Sequence, residues 1–189
     1  MKAPVQELMG LFDLEQLENN LFRGQSEANG QRSVFGGLVA GQALLAASRT
    51  VDESRPVHSL HAYFLRPGDF NIPIVYDVDR IRDGKSFTTR RVNAIQHGRP
   101  IFSLAVSYQV AEEGVCHQAP MPDGPGPEGL ENDEAIRRKL VDRLPEQYRL
   151  DFLTARPVEF RPGTPQDSIS SAPTPPLREG WFRVGDRVA

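Results

Sequence analysis

Two adjacent glycines, Gly36 and Gly37, stand at the predicted start of a helix and offer the clearest chemistry in this sequence. The first backbone N–H groups of a helix have no partner within the helix, so they can hold an anion or an oxyanion that develops during a reaction. An ordinary core helix is the alternative interpretation, and the glycines alone do not separate the two. His58 opens a strand shortly after this helix, and we take Gly36, Gly37 and His58 as the candidate binding residues.

Other kinds of site find little support in the sequence. His58 and His61 are three positions apart on a predicted strand, so they point to opposite faces and cannot chelate one metal ion together. There is no Gly-x-Ser-x-Gly elbow, and the single cysteine, Cys116, has no obvious base beside it. The glycine spacing of dinucleotide-binding loops is also missing. We therefore expect no metal, no cofactor and no covalent nucleophile.

The helix that carries the glycines is predicted over residues 34–51. Its apolar residues recur at helical spacing and its other sides are small, which favours a slim, buried helix. Glycine costs about 1 kcal/mol relative to alanine inside a helix, so the pair Gly37 and Gly41 indicates that neighbouring backbone lies close against it.

Strands follow this helix. Residues 57–66, 72–81, 86–96 and 101–110 are β-prone, with turn signals at Asp83-Gly84 and His97-Gly98. Alternation places Thr88, Arg90, Val92 and Ala94 on one face, and Phe102, Leu104, Val106 and Tyr108 on one face of the last strand. Before the central helix we predict a helix at 4–17 and a short strand at 21–24. Taken together, these elements predict an α+β fold in which an antiparallel meander wraps around one helix.

The composition changes near residue 112. Only five of the 16 prolines lie in the first 119 residues. We predict a first domain at 1–112, a Pro/Gly-rich linker with a surface helix (131–144, ended by Pro145) at 113–155, and two strands, 156–162 and 180–184, in a segment 156–189. Residues 120–129 are predicted to lack regular structure. Two strands are too few to bury a core alone, so the second domain looks incomplete.

Charge and cysteine usage restrict the partners and the cellular compartment that we expect for this protein. The net charge is −3 and no basic stripe follows a predicted element, which argues against a nucleic-acid partner. We recognise neither a signal peptide nor a run of about 18 apolar residues, and therefore expect no membrane span. One cysteine excludes an intramolecular disulfide. These features favour a soluble protein of the cytoplasm.

Four stretches together resemble the acyl-CoA thioesterase II family of double-hotdog enzymes. They are LFRGQS at 21–26, VFGG at 34–37 with GQAL at 41–44, VHSLHAYFLRPGD at 57–69, and RDGKSF at 82–87. The resemblance runs in order through about the first 110 residues and continues more loosely to Trp181. It implies a hotdog fold, a long central helix wrapped by an antiparallel sheet, followed by an incomplete second hotdog.

The resemblance also implies a function in fatty acid metabolism. Enzymes of this family are hydrolases that convert fatty acyl-CoA to a free fatty acid and CoA, using water activated by an Asp, Thr and Gln set in the second hotdog. At the helix start of the first hotdog this sequence has Gly36 and Gly37 where a catalytic Asp would stand, and Leu38 where the family commonly has Gln. His58 matches a family histidine. We therefore assign no catalytic residue to this chain.

Three interpretations remain open at this point. The chain can be a thioesterase that is inactive or weak alone and needs a homo-oligomer or a second hotdog chain as partner. It can instead be a non-catalytic module that binds acyl-CoA or serves assembly. A hotdog dehydratase is a third class, but it requires a His–Asp or His–Glu pair near the helix, and the sequence fixes no such partner for His58.

Overall fold

The computed structural model describes residues 4–27, 32–164, 167, 169–170 and 173–185. This part of the chain forms two compact units, one spanning Met9–Cys116 and the other formed by residues 4–8 and the described residues after 116. No described helix is long and apolar enough to cross a bilayer. The described residues also contain no group of three or more His, Cys, Asp or Glu side chains that is arranged to hold a metal ion.

The unit Met9–Cys116 is built on one helix and a six-stranded sheet. The sheet is antiparallel throughout, in the order β1-β2-β4-β5-β6-β3. The helix α2 packs on one face of it, which confirms the predicted α+β arrangement. The described elements up to residue 116 are α1 (Pro4–Leu11), β1 (Glu15–Glu18), β2 (Leu21–Gly24), α2 (Gly36–Ser48), β3 (Val57–Phe64), β4 (Ile74–Asp83), β5 (Phe87–Gln96) and β6 (Arg99–Gln109).

Strand alternation decides which side chains face α2. Every second residue of β5, and of β6 from Phe102 onward, is buried, and the residues that the sequence groups on one face do share it, because successive side chains point to opposite faces of a strand. The inward residues include Thr88, Arg90, Val92 and Ala94 on β5, and Phe102, Leu104, Val106 and Tyr108 on β6.

Aromatic rings lie against Gly37 and Gly41 of α2. A Cβ atom on Gly41 would be 2.7 Å from Cε1 of Phe12, and one on Gly37 would be 2.5 Å from Cε1 of Phe35. The prediction of a close neighbour is confirmed, but that neighbour is an aromatic side chain and not backbone. Alanine at either position would force the ring to move.

Arg90 is a buried cation on the inner face of the sheet, with 1% of its surface exposed. Its guanidinium donates to Thr50 Oγ1 (2.8 Å), the Thr50 carbonyl (3.0 Å), the Arg82 carbonyl (3.1 Å) and the Asp83 carboxylate (2.6 Å). This hydrogen bond from Arg90 holds the pKa of Asp83 below its usual range. Burial of the charge is tolerated because it is paired and hydrogen-bonded, and the network ties the segment after α2 to the sheet.

The amino-terminal helix is shorter than predicted. It ends at Leu11, and the chain then turns, with the Asp13 N–H donating to the Gly10 carbonyl (3.2 Å) and the Leu14 N–H to the Phe12 carbonyl (2.9 Å). The predicted helix 4–17 is therefore wrong over its second half. Residues 15–18 form β1, which pairs with β2 and gains sheet hydrogen bonds that an isolated helix end cannot offer.

The strand order also differs from a simple meander. β4, β5 and β6 follow one another as predicted, and β5 joins β6 through His97 and Gly98, both at positive φ (50° and 68°). However, β3 pairs with β6 at the edge of the sheet, and β4 pairs with β2 on the other side of β5. The β3–β4 connection, residues 65–73, therefore crosses from one side of the sheet to the other.

The residues after 116 form a separate arrangement of short helices and one hairpin. The helical segment predicted at 131–144 ends before Pro145, because Leu144 is already extended, and Pro145 then precedes a second helix. Residues 120–129 are not wholly irregular, since a 3₁₀ turn forms at their end. The elements are 3₁₀ turns at Pro127–Gly129 and Val141–Arg143, α3 (Asp133–Leu140), α4 (Glu146–Leu153), β7 (Val158–Pro162) and β8 (Gly180–Val184), with β7 and β8 antiparallel.

Candidate functional site

A cavity of about 420 Å³ lies beside the start of α2, within the unit Met9–Cys116. Its walls come from the start of α2 and the residues before it, the end of β3, the β3–β4 connection and β6. The lining is mainly apolar, and Ser33 and Arg66 are its polar side chains. The lining residues are Ser33, Val34, Gly36, Val39, Phe64, Leu65, Arg66, Pro67, Gly68, Ile101 and Phe102.

The start of α2 gives this cavity a positive electrostatic character. Gly36 is the first helical residue and lines the cavity; no side chain caps the helix, and its first turn holds no acidic residue. The N–H groups of Leu38 and Val39 donate to the Phe35 carbonyl, at 3.0 and 3.3 Å. The N–H groups of Gly36 and Gly37 precede these first hydrogen bonds of the helix and have no carbonyl partner within it. Together with the helix dipole, they favour a negative charge at this end of the cavity.

Only one of the two candidate glycines meets the cavity. A Cβ atom on Gly36 would lie 2.7 Å from Cε1 of Phe64, so the glycine allows this ring to approach the helix start. The Phe64 ring also contacts Phe102, with centroids 4.9 Å apart, and remains 65% exposed. Gly37 lies outside the lining set and faces Phe35 instead.

His58 lies near the other end of β3. Its Nε2 is 2.9 Å from Ser107 Oγ, and its ring packs edge-on against Phe87 at 5.8 Å. It is six positions from Phe64, which is roughly 20 Å along a strand. The structure thus brings Gly36 together with Phe64 and does not bring His58 to the helix start.

The β3–β4 connection forms one wall of the cavity. The N–H groups of Leu65 and Arg66 both donate to the Ile101 carbonyl (2.9 and 3.1 Å), and the Val34 N–H donates to the Gly68 carbonyl (3.0 Å). The Arg66 guanidinium donates to the Pro100 carbonyl (2.6 Å) while its side chain stays exposed at the cavity rim. The Arg66 guanidinium is therefore already positioned to bind an anion at the rim.

Gln96 was not among the candidate residues of the sequence analysis. It lies outside the cavity lining and forms hydrogen bonds with the connection that makes this wall. The side chain is 4% exposed and its amide binds the backbone of Asp69 and Ile72. A signal exists in the sequence, because Gln96 continues the inward alternation of Thr88, Arg90, Val92 and Ala94 on β5. A polar residue on a buried face needs hydrogen-bond partners, and the β3–β4 connection provides them.

The arrangement suits binding better than proton transfer. Apolar walls can hold an acyl chain, and helix N–H groups with Arg66 can hold negatively charged or polarised oxygen. Among the described residues that line the cavity there is no Asp, Glu or His to accept a proton from water. The cavity therefore combines an apolar lining with groups that favour negative charge, and its described lining residues include no general base.

Comparison with known proteins gives the class first. A hotdog-fold protein from Alicyclobacillus acidocaldarius superposes with a TM-score of 0.73 at 18% identity, covering 95% of this chain and 62% of that chain. This likeness, together with the single helix on an antiparallel sheet, identifies the fold as a hotdog.

The family follows from closer relatives. Residues 25–109 match the acyl-CoA thioesterase N-terminal domain. The chain is similar to acyl-CoA thioesterase 2 of Haemophilus influenzae (39% identity, 94% of this chain, 62% of the relative). It is also similar to the crystal structure of the acyl-CoA thioesterase II TesB2 from Mycobacterium marinum (41% identity, TM-score 0.70, 96% of this chain, 62% of that chain). The chain belongs to the acyl-CoA thioesterase II family and spans about three fifths of the length of these relatives.

Proposed function

We propose that this chain is part of an acyl-CoA thioesterase that hydrolyses fatty acyl-CoA to a free fatty acid and CoA through activated water. The observation that carries the proposal is the apolar cavity at the uncapped start of α2. Its walls suit a fatty acyl chain, and Arg66 at the rim suits the phosphates of CoA. The names of the relatives support the same chemistry.

Within this proposal, the unit Met9–Cys116 binds substrate and does not activate water. Its cavity offers no carboxylate among the described lining residues, and a water-activated hydrolysis needs a general base. The base, and the polar groups that hold the water, would come from a completed second hotdog. That second hotdog is supplied either by the remainder of a longer chain or by a second polypeptide, in a reducing, cytoplasmic setting.

Two surfaces support pairing with a second hotdog. β3 is an edge strand, and its side chains Leu60, Tyr63 and Phe64 are more than half exposed. An exposed apolar edge strand is a template for pairing with another strand. The β7–β8 hairpin presents a second apolar surface, with Phe182 71% exposed, and we propose that it begins the second hotdog.

A non-catalytic module that binds acyl-CoA is the second candidate. The lack of a general base in the described cavity lining favours it directly. The two candidates share the bound ligand, and both predict little turnover by this chain alone. They differ in turnover after a second hotdog chain is added, which only the thioesterase proposal expects to rise.

The test is hydrolysis of palmitoyl-CoA by the purified chain, with release of free CoA thiol as the measurement and a His58→Ala variant in parallel. Binding of a non-hydrolysable thioether analogue, hexadecyl-CoA, is measured on the same samples. We expect binding with little or no turnover by the chain alone. Turnover that is lost in His58→Ala would place a working site within this chain, and failure to bind the analogue would overturn the proposal.

A further inference from the structure

The buried amide of Gln96 directs all of its described hydrogen bonds to a single segment, the β3–β4 connection. Its Oε1 accepts from the Asp69 N–H (2.8 Å), and its Nε2 donates to the Asp69 carbonyl (2.7 Å) and the Ile72 carbonyl (2.9 Å). These partners lie 27 and 24 residues away along the chain. The amide therefore acts as a tertiary clamp on an otherwise irregular connection.

The clamped connection is the segment that forms the cavity wall. Leu65, Arg66, Pro67 and Gly68 line the cavity, directly before the clamped residue Asp69. Gly68 is also tightly seated, because a Cβ atom there would lie 3.2 Å from Ile101 Cδ1 and from Val34. Movement of residues 69–72 would therefore shift the wall that a ligand must contact.

The hydrogen bonds of the Asp69 side chain are local. The Asp69 carboxylate accepts from the Asn71 N–H and side-chain amide, both at 2.8 Å, which shapes the turn but does not attach it to the sheet. The other carboxylate oxygen lies 3.7 Å from His97 Nε2 in the β5–β6 turn, and the hydrogen bonds to β5 itself come from Gln96. Without this amide, the Asp69 N–H and the carbonyls of Asp69 and Ile72 would lose their partner and would need water or new geometry.

We propose that Gln96 is a positioning residue for ligand binding: it does not touch the ligand, but it fixes the cavity wall that does. The inference rests on the proposed function, because it takes the cavity to be the acyl-CoA site. It goes beyond that function by assigning the affinity for acyl-CoA in part to a residue outside the cavity lining.

The chain provides a matched control in Gln42. Its amide is also buried and also makes three hydrogen bonds, donating to the Leu11 (2.6 Å) and Gln25 (2.8 Å) carbonyls and accepting from the Tyr76 hydroxyl (2.6 Å). None of these partners lines the cavity. Replacing either glutamine by leucine removes the same chemistry, but only one replacement releases the wall.

The experiment measures the Kd of hexadecyl-CoA and the thermal midpoint for the wild type, Gln96→Leu and Gln42→Leu, all in the full chain. We expect both variants to lose similar stability. Gln96→Leu should weaken binding about tenfold or more, and Gln42→Leu by about twofold or less. Equal weakening by both variants, or unchanged binding in Gln96→Leu, would overturn the inference.

A second variant keeps the test decisive if Gln96→Leu does not fold. Gln96→Glu retains an oxygen that accepts from the Asp69 N–H but lacks both N–H donors. Hydrogen exchange in residues 65–72 should then be faster than in the wild type, with residues 57–63 unchanged, and hexadecyl-CoA should bind more weakly. Unchanged exchange at 65–72 in a protein that still binds overturns this inference alone. A wild type that does not bind hexadecyl-CoA overturns the proposed function instead.

Discussion

The hairpins β1–β2 and β7–β8 carry the same side-chain pattern in two different surroundings. In the first, Glu15 is opposite Arg23 and the next pair contains Phe22; in the second, Glu159 is opposite Arg183 and the next pair contains Phe182. Both Glu–Arg pairs form ion pairs. The repeated pattern favours the interpretation of β7–β8 as the beginning of a second hotdog.

The burial of the two phenylalanines differs completely. Phe22 is fully buried in the core beneath α2, whereas Phe182 is 71% exposed and stacks only on Phe160, at 4.5 Å, among its described ring contacts. The same local sequence thus gives a core residue where a helix and a sheet cover it and a surface residue where no described element does. Strand pattern determines which face a side chain occupies, but the covering element determines its contribution to stability.

The largest predicted effect comes from truncating the covered phenylalanine. Phe22→Ala should lower the free energy of unfolding by about 3–5 kcal/mol, because it removes buried apolar surface and leaves a cavity. Phe182→Ala should cost about 1 kcal/mol or less, since most of the ring is already in water. Urea unfolding of both variants measures the difference, and similar losses would show that Phe182 is covered in solution.

The same pair of variants responds differently to a partner. If a second hotdog is added and docks on β7–β8, Phe182→Ala should weaken that association while Phe22→Ala changes it only through stability. Sedimentation or calorimetry with the partner chain makes the comparison. Docking that is unaffected by Phe182→Ala would contradict the proposed role of this hairpin.

The other face of β7–β8 is held by the segment before α3, in addition to the contact of β7 with α3, where the Phe160 N–H donates to the Asp133 carboxylate (3.3 Å). Arg161 donates to the carbonyls of Pro127 (2.8 Å) and Leu130 (3.0 Å), and Trp181 Nε1 donates to the Pro125 carbonyl (3.0 Å). Arg161→Leu should therefore release residues 125–130 and raise their hydrogen exchange, at a cost of about 1–3 kcal/mol for the lost charge-assisted bonds. The exchange of β1–β2 is the internal control and should not change.

Acid should loosen the second hairpin through Glu159. Hydrogen bonds from Arg161 and then Arg183 hold the pKa of Glu159 below its usual value of 4.5. A depressed folded pKa gives stability that is complete above the unfolded pKa and is lost as the pH falls through the folded one. Trp181, the single tryptophan, should report an emission change below about pH 4.5, which Glu159→Gln should flatten. An unchanged acid profile in Glu159→Gln would assign the transition to another group.

Much of the hotdog unit follows from local pattern. Alternation groups the residues that share a face on β5 and β6, and the turn at His97-Gly98 predicts their connection. In the other unit, β8 begins and ends where the sequence places it, at Gly180 and Val184. These features depend on residues close in the chain, which is why periodicity and turn residues reveal them.

The cavity could not be predicted in the same way. It combines the start of α2, the end of β3 and β6, and β3 pairs with β6 and not with β4, the strand that follows it in the chain. Periodicity does not specify which strands become neighbours. Gln96 shows the same limit, because its position on the inner face is predictable while its partners, 24 and 27 residues away, are not.

The smallest predicted effect concerns the ion pair that the two hairpins share. Glu15 and Arg23 have side chains 53% and 42% exposed, so solvent screens their attraction. A double-mutant cycle with Glu15→Gln and Arg23→Gln should give a coupling of about 0.2–1 kcal/mol that falls in high salt.

The corresponding cycle on Glu159 and Arg183 should give a larger coupling, because Glu159 is 19% exposed. Its coupling should also depend on Arg161, which binds the same carboxylate. Equal, salt-insensitive couplings in both hairpins would mean that their charges contribute alike, and burial of the phenylalanine would then be the single difference between the two regions.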